Sequence, residues 1–545
     1  MIRRIPFLLS LLLAGGGIAP VTVRADANPK CLETVVIQEG GRRKPFLVFA
    51  EETLRSLSGK TAISLDDRKA SALAIVGGIW LDPDAGWEGK NLILVSNRPL
   101  RMKAGLDPVR KLFSPRELLA NPVLTAEISA AAEMKRRDPK ARLAGLTKEA
   151  SDVGMRIGLL GELLQGSAYR LLPRADSPWT VLPSGPEGKE ARRYEADYEA
   201  LKGAWGRGDQ AAFDAAANDL RQVQALSGAT PPPWKIGLEV LYQKSHPFRW
   251  AWILYAAAGV ILLISRGSWD RTGYRAASVL AGCGFLLQAA GLASRVLIAG
   301  RPPVTNMYES VIWVAFGTIL FALLFELRYR AATFLLGAVP VAVASLILAD
   351  SQPVILDTSI HPLTPVLRDN FWLSTHVLTI TLSYAAFALA LGVGHVALLT
   401  VLRGRNPSAD LYAYLYKTLQ VGVLLLAVGT ILGGVWANYS WGRFWDWDPK
   451  ETWALTALLG YLFILHGRIS GLWGGFGLAV GSVLAFQSVL MAWYGVNFVL
   501  GAGLHSYGFG TGGFPAVAAY VTCELLFVAA AVIARKKLPA AAIRG

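Results

Sequence analysis

A polytopic α-helical membrane protein of about nine transmembrane helices, with an N-terminal exported α/β soluble domain, is the fold class this sequence predicts. Three observations predict it. Of 545 residues, 53% are hydrophobic and only 17% charged, which is too apolar for a water-soluble chain of this length. Up to about residue 245 the chain mixes charges, prolines and short amphipathic runs, whereas beyond residue 250 apolar stretches of roughly 20 residues follow one another, the length that crosses hydrocarbon. The basic residues between those stretches are unequally distributed, as the positive-inside rule requires of a multi-pass protein.

In chain order, residues 1–27 have the form of a signal peptide: Arg3 and Arg4, an apolar run from Ile5 to Leu13, and small residues ending in Ala25-Asp26-Ala27. An uncleaved anchor helix is the other reading, and either one exports the segment after it. Residues 28–233 read as a soluble domain in which strand-like runs (Thr34 to Ile37, Asn91 to Val95, Trp179 to Leu182) alternate with amphipathic helices (Asp66 to Trp80, Lys148 to Leu164). Ser114-Pro115-Arg116-Glu117 has the form of a capping box that starts a helix. This domain contains no histidine and is expected to dock or scaffold. Thr230-Pro231-Pro232-Pro233 forms a stiff linker, and the amphipathic segment 234–249, with a solvated His246, is expected to lie on the membrane surface.

The membrane domain, 250–535, is expected to cross at about 250–265, 275–297, 308–327, 331–349, 375–402, 417–436, 452–467, 475–494 and 515–534, ahead of a cytoplasmic tail at 536–545. With the soluble domain outside, Arg266, Arg271, Arg275, Arg328, Arg330, Arg403, Arg405, Arg468, Arg535, Lys536 and Lys537 fall inside. Only Arg301, Arg368, Arg443 and Lys450 fall outside, so charge and export signal give one topology. The expected place is a bacterial cytoplasmic (inner) membrane, with the N-terminal domain periplasmic and the C-terminus cytoplasmic. The net charge of +15 is therefore a membrane signature; without a basic run interleaved with aromatics, nucleic acid is not an expected partner. Three cysteines, Cys31, Cys283 and Cys523, form no CxxC, which argues against a thiol oxidoreductase, a zinc ribbon or covalent haem on this chain.

Residues 436–453, WANYSWGRFWDWDPKETW, crowd Trp436, Trp441, Trp445, Trp447 and Trp453 among Phe444, Asp446, Asp448 and Glu451 between two spans. Gly442 and Pro449 interrupt any helix there. An interfacial aromatic belt scatters one or two rings per helix end, whereas this density suits a hydrophobic platform for a large planar ligand.

WGRFWDWDP resembles the tryptophan-rich WWD signature of membrane haem-handling proteins, and Asp448-Pro449-Lys450-Glu451-Thr452-Trp453 is similar to the CcsA (ResC) branch of the system II cytochrome c synthase. Asn306, Met307, Tyr308, Glu309 and Ser310 resemble the NxYES pattern of that family and imply a supporting role at the pocket. The resemblance covers about residues 234–535. It implies haem b as substrate and bound ligand, held by Trp436, Trp441, Phe444, Trp445, Trp447 and Asp448. It also implies a cytochrome c synthase working with a ResB/CcsB-type membrane protein, an apocytochrome c bearing CxxCH, and a thiol-reducing partner. A haem exporter or delivery chaperone without synthase activity is the alternative, and a structural subunit anchored by its tryptophans is a third reading.

On that topology His376 and His505 flank the tryptophan loop on one membrane face, where two neutral imidazoles suit axial ligation of one haem iron. The resemblance implies the same pair; a loop histidine making hydrogen bonds is the other reading of each. His466 stands 15 residues beyond Glu451, roughly 22 Å along a helix, and the resemblance implies a second, internal haem there, with its opposite ligand from the partner. His395, 19 residues after His376, or roughly 28 Å, is the rival internal ligand, with helix packing as the other reading. His361 reads as a loop residue in reserve. Arg443, Lys450 and backbone NH groups are candidates for the haem propionates, and Asp446, Asp448 and Glu451 for fixing the loop, with Asp448 as an ordinary helix N-cap.

Overall fold

The computed structural model describes residues 27–65, 67–139, 141, 143, 145–174, 178–181, 189–265, 271–351, 356–362, 370–501 and 513–538. The chain divides into two compact units, residues 1–244 and 245–545.

The first unit is mainly helical. Its strands make four separate antiparallel pairs: β1 (Val36–Glu39) with β2 (Arg42–Pro45), β3 (Ala62–Leu65) with β4 (Arg68–Ser71), β5 (Ile93–Leu94) with β6 (Leu112–Phe113), and β7 (Arg170–Leu172) with β8 (Thr180–Val181). Between and after them run α1 (Phe46–Ser58), α2 (Ala72–Leu81), α3 (Arg98–Lys103), α4 (Pro115–Leu119), α5 (Pro122–Arg137), α6 (Gly145–Leu164), α7 (Lys189–Arg207), α8 (Gln210–Leu226) and α9 (Pro233–Ser245). The helix expected over Asp66 to Trp80 is shorter, because Arg68–Ser71 pairs with Ala62–Leu65 and Ser71 then caps α2 by accepting from the Ala74 NH. Ser114 caps α4 as its sequence predicts, while Glu117 pairs with Arg110.

One apolar core holds this unit, with Phe46, Phe49, Trp80 and Tyr169 packed ring against ring. Buried Gln224 of α8 accepts from the Val36 NH (3.0 Å) and donates to the Val36 carbonyl (2.7 Å), completing the edge of β1 as a strand would. The segment expected to lie on a membrane surface is tied to this unit: Glu239 of α9 pairs with Arg42 at 2.6 Å, and Lys244 with Glu33 at 2.6 Å.

The second unit contains α10 (Pro247–Ile264), α11 (Arg271–Ala299), α12 (Met307–Tyr329), α13 (Thr333–Ser351), α14 (Asn370–Leu402), α15 (Ala409–Trp441), α16 (Pro449–Ile469), α17 (Gly475–Leu490), a π-helical continuation (Met491–Leu500) and α18 (Phe514–Lys536). Among the described residues nine helices are long and apolar enough to cross a membrane. Helix α14 is central. It packs against α12, α13, α15, α17 and α18, and 72% of its most apolar window is buried, against 17% for α18. Apolar side chains gain little from meeting each other in lipid, so buried polar ties register these helices. Tyr255 of α10 donates to Gln288 of α11 (2.7 Å), which donates in turn to the Ile312 carbonyl of α12 (2.9 Å). Because successive spans alternate, the start of α14, the end of α15 and the start of α16 lie on one face.

Candidate functional site

The first turns of α14 and the last turns of α15 bring His376, Trp372, Trp436 and Trp441 together. His376 is 5% exposed, and its Nδ1 lies 3.2 Å from the Trp372 carbonyl oxygen. A carbonyl only accepts, so Nδ1 carries the hydrogen and the lone pair is on Nε2, the tautomer a metal ligand needs. The imidazole stacks on the fully buried Trp436 ring (5.2 Å, 23°), and Trp441 meets Trp436 edge-on at 4.6 Å. Gly433 lies beside the ring's other edge, where a Cβ would stand 3.4 Å from His376 Cδ2, an ordinary contact. Trp372 stacks on Tyr439 at 6.1 Å.

Helix α15 runs on through Trp441 and stops at Gly442, whose φ of 72° is left-handed. Phe444 then folds back over Gly434, where a Cβ would come within 2.7 Å of its ring. Arg443 pairs with Asp446 and lies 5.8 Å from the Trp441 ring. Glu451 accepts from the Asp446 NH (2.9 Å) and the Asp448 NH (3.2 Å), and the Asp448 carboxylate caps α16, accepting from the Lys450 NH at 3.1 Å. The carboxylates thus serve the loop and its following helix. Trp445 and Trp447 stand perpendicular at 5.8 Å, with Trp447 68% exposed and held at a φ of 57°. Four of the indoles therefore divide into buried Trp436 with half-buried Trp441 behind His376, and half-buried Trp445 with exposed Trp447 in the loop, and these four do not form a single plane. A non-glycine residue at positive φ is strained, and strain of this kind concentrates at functional loops.

His505 lies outside the described residues. The π-helical turn that precedes it is tied to the start of α12 by Trp493, whose Nε1 donates to Ser310 at 2.8 Å. Next to Ser310, Glu309 is 1% exposed and sits between Arg295 (2.8 Å) and Arg301 (2.9 Å), also accepting from the Thr305 NH and hydroxyl. The two arginines reach on to the carbonyls of Thr358 (2.9 Å) and His361 (2.8 Å). The Asn-Met-Tyr-Glu-Ser motif is thus a junction for the loops on this face. Arg295 and Arg301 are the partners of Glu309 that motif reading passed over, although an arginine inside an apolar span is itself a visible signal. His361 pairs with Asp357 at 2.7 Å.

His466 is exposed on α16 in an apolar stripe with Leu459, Phe463 and Ile469, its Nδ1 donating to the Leu462 carbonyl at 2.8 Å. Like His376 it keeps its lone pair on Nε2, but it faces away from the helices of its own chain. His395 is engaged at both nitrogens, by the Leu391 carbonyl (2.8 Å) and the Glu524 carboxylate (3.0 Å). Exposed His246 begins α10 at a φ of 45°.

A family model described as cytochrome C assembly protein matches residues 304–505. The chain is 34% identical over 307 residues to cytochrome c biogenesis protein CcsA of Synechococcus sp., covering 48% of this chain and 98% of that protein. It is 35% identical over 254 residues to CcsA of Prochlorococcus marinus subsp. pastoris, covering 41% and 80%. Protein NrfI of Wolinella succinogenes is 30% identical over 519 residues, 87% of this chain, and the chain spans about half, 54%, of NrfI's length. Among solved structures, cytochrome c heme lyase CcmF superposes with a TM-score of 0.39 at 16% identity, covering 54% of this chain and 50% of that one.

Proposed function

The chain belongs to the CcsA family of cytochrome c biogenesis proteins, and from that premise we propose that it holds haem b for covalent attachment to the CxxCH segment of exported apocytochromes c. Haem is the substrate of this reaction. Its iron is held between His376 and His505 on the exported face, with Trp441, Phe444, Trp445 and Trp447 against the macrocycle and Trp436 backing His376. Asp448 and Glu451 keep the loop in shape, and Arg443 and Lys450 are the nearby cations for the propionates. The observation that carries the reading is His376: a buried imidazole beside the tryptophan loop, stacked on an indole and oriented by a backbone bond that leaves the lone pair on Nε2.

The chemistry asks for positioning rather than for an acid or base. Each cysteine S–H adds across one vinyl C=C: sulfur bonds to one vinyl carbon, the hydrogen ends on the other, and no electron acceptor is needed. The apocytochrome's histidine replaces one of the two holding imidazoles, which frees the product. A thiol-reducing partner keeps the cysteines reduced. His466 serves a second haem on its way in, and its position on an outward stripe suits an opposite ligand from a ResB/CcsB-type protein in the same membrane.

The test is co-expression of this chain, a ResB/CcsB-type protein and an apocytochrome c in cells lacking their own maturation machinery. Haem staining of the cytochrome after denaturing electrophoresis is expected with the native chain. It should fall at least tenfold in His376→Ala and His505→Ala. Membrane-bound haem with no covalently labelled cytochrome would assign delivery without synthesis, and unchanged labelling in both variants would overturn the site.

A further inference from the structure

His395 of α14 and Glu524 of α18 meet inside the membrane unit, His395 Nε2 lying 3.0 Å from the Glu524 carboxylate with side chains 28% and 10% exposed. Proton counting constrains this contact. Nδ1 is 2.8 Å from the Leu391 carbonyl, which only accepts, so Nδ1 must carry a hydrogen. A second hydrogen must then lie between Nε2 and the carboxylate, because two lone pairs would otherwise face each other. The pair is neutral overall whether it is written as imidazolium and carboxylate or as imidazole and carboxylic acid, and neutrality is what a low-dielectric setting tolerates. Loss of that proton would leave a bare carboxylate against an imidazole lone pair.

The surroundings are built for the contact. The Phe527 ring stacks on His395 at 4.9 Å, and Tyr520, one turn before Glu524 on α18, is a neighbour of its carboxylate. Fully buried Tyr461 of α16, stacked on Phe387 of α14, faces Tyr520. Among the described residues Tyr520 is the titratable group beside Glu524, and Tyr461 is next to Tyr520. Helix α18 is mostly unburied along its apolar length, and its other polar tie is at its far end, where Arg535 donates to Asn406 at 2.8 Å and lies over the Phe476 ring.

We propose that His395 and Glu524 form a one-proton clasp that fixes the last span against α14, the helix carrying His376, and that His395 is a positioning residue. The clasp needs no haem, so it stands or falls separately from the reading above.

The full chain in detergent supplies the test. Glu524→Gln preserves the hydrogen bond, since its amide can donate to Nε2, but removes the shared proton; Glu524→Ala removes both. Native protein is expected to lose thermal stability by a few degrees as the pH rises from neutral into the alkaline range. Glu524→Gln should match it at neutral pH and lose less stability than the native protein up to about pH 9, below the range in which Cys31 contributes. Glu524→Ala should be destabilised at neutral pH, and Tyr520→Phe should retain the native pH dependence. In infrared pH titrations one carboxyl band and one imidazole band should change together, and both changes should vanish in Glu524→Gln. An unaltered pH profile in Glu524→Gln would overturn the proposal. So would loss of bound-haem absorption in His395→Ala with full retention in Glu524→Ala, which would make His395 an iron ligand.

Discussion

Glu309 shows how much a single buried side chain can organise. Its carboxylate faces two guanidinium groups and a backbone NH, and through Arg295 and Arg301 it reaches two carbonyls in residues 356–362. Replacing it with glutamine keeps the volume but leaves two buried cations without a counter-charge. Removing one partner of a buried pair typically costs about 3–5 kcal/mol. Glu309→Gln is therefore expected to lower the unfolding temperature of the purified protein and to open residues 356–362 to protease. An unchanged cleavage pattern at native stability would mean that the arginines find other acceptors. The motif containing Glu309 was readable in the sequence, but its partners were not, because Arg295 and Arg301 reach the carboxylate from the end of the preceding helix and the connection after it. Asp448 was easier. An aspartate before proline, with glutamate three residues on, announces an N-cap locally, and the structure places the capping box there.

Among the elements, the π-helical turn at Met491–Leu500 has the least ordinary geometry. Wide turns of this kind cost hydrogen-bond quality and recur at functional sites. This one is held from outside by the Trp493 Nε1 bond to Ser310, and it precedes the segment containing His505. Trp493→Phe keeps an aromatic side chain, smaller than the indole, and deletes the donor. It is expected to cost about 1 kcal/mol of stability, and to reduce cytochrome labelling more than that loss of folded protein explains. Labelling that tracks folded protein one for one would assign Trp493 a packing role alone. Neither the π turn nor the extension of α15 through Trp441 was legible beforehand. Apolar runs reveal where hydrocarbon is crossed, and the polar-aromatic WANYSW continues the helix beyond that run without changing the run itself. The nine spans were legible for the same reason. The β3–β4 pair was not, because Arg68–Ser71 carries no period-2 apolar signal and is a strand only by virtue of its partner.

At the scale of the whole molecule, the three cysteines are free thiols spread over both units. Cys283 and Cys523 lie on different spans, and burial, helped by Asp214, pushes the Cys31 thiol up to about 12 from 9.0. Folding therefore favours the protonated thiol; that contribution is present below about pH 9 and is lost as the pH rises towards 12. A polar alkylating reagent at pH 8 is expected to modify Cys31 only after unfolding, and rapid labelling of native protein would contradict the burial. The N-terminal unit invites a sharper test, because its core and ion pairs are its own. Helix α9 contributes Glu239 to Arg42, Gln243 to Glu51 and Lys244 to Glu33, so it belongs to this unit although the proline run at 231–233 suggests a boundary before it. A segment spanning residues 28–244 is expected to unfold in one cooperative thermal transition. A segment ending at 233 keeps the aromatic core but strands Arg42, which is 14% exposed, and should melt several degrees lower. Equal melting temperatures would mean that α9 rides on the unit without stabilising it, and that the functional boundary lies at the prolines.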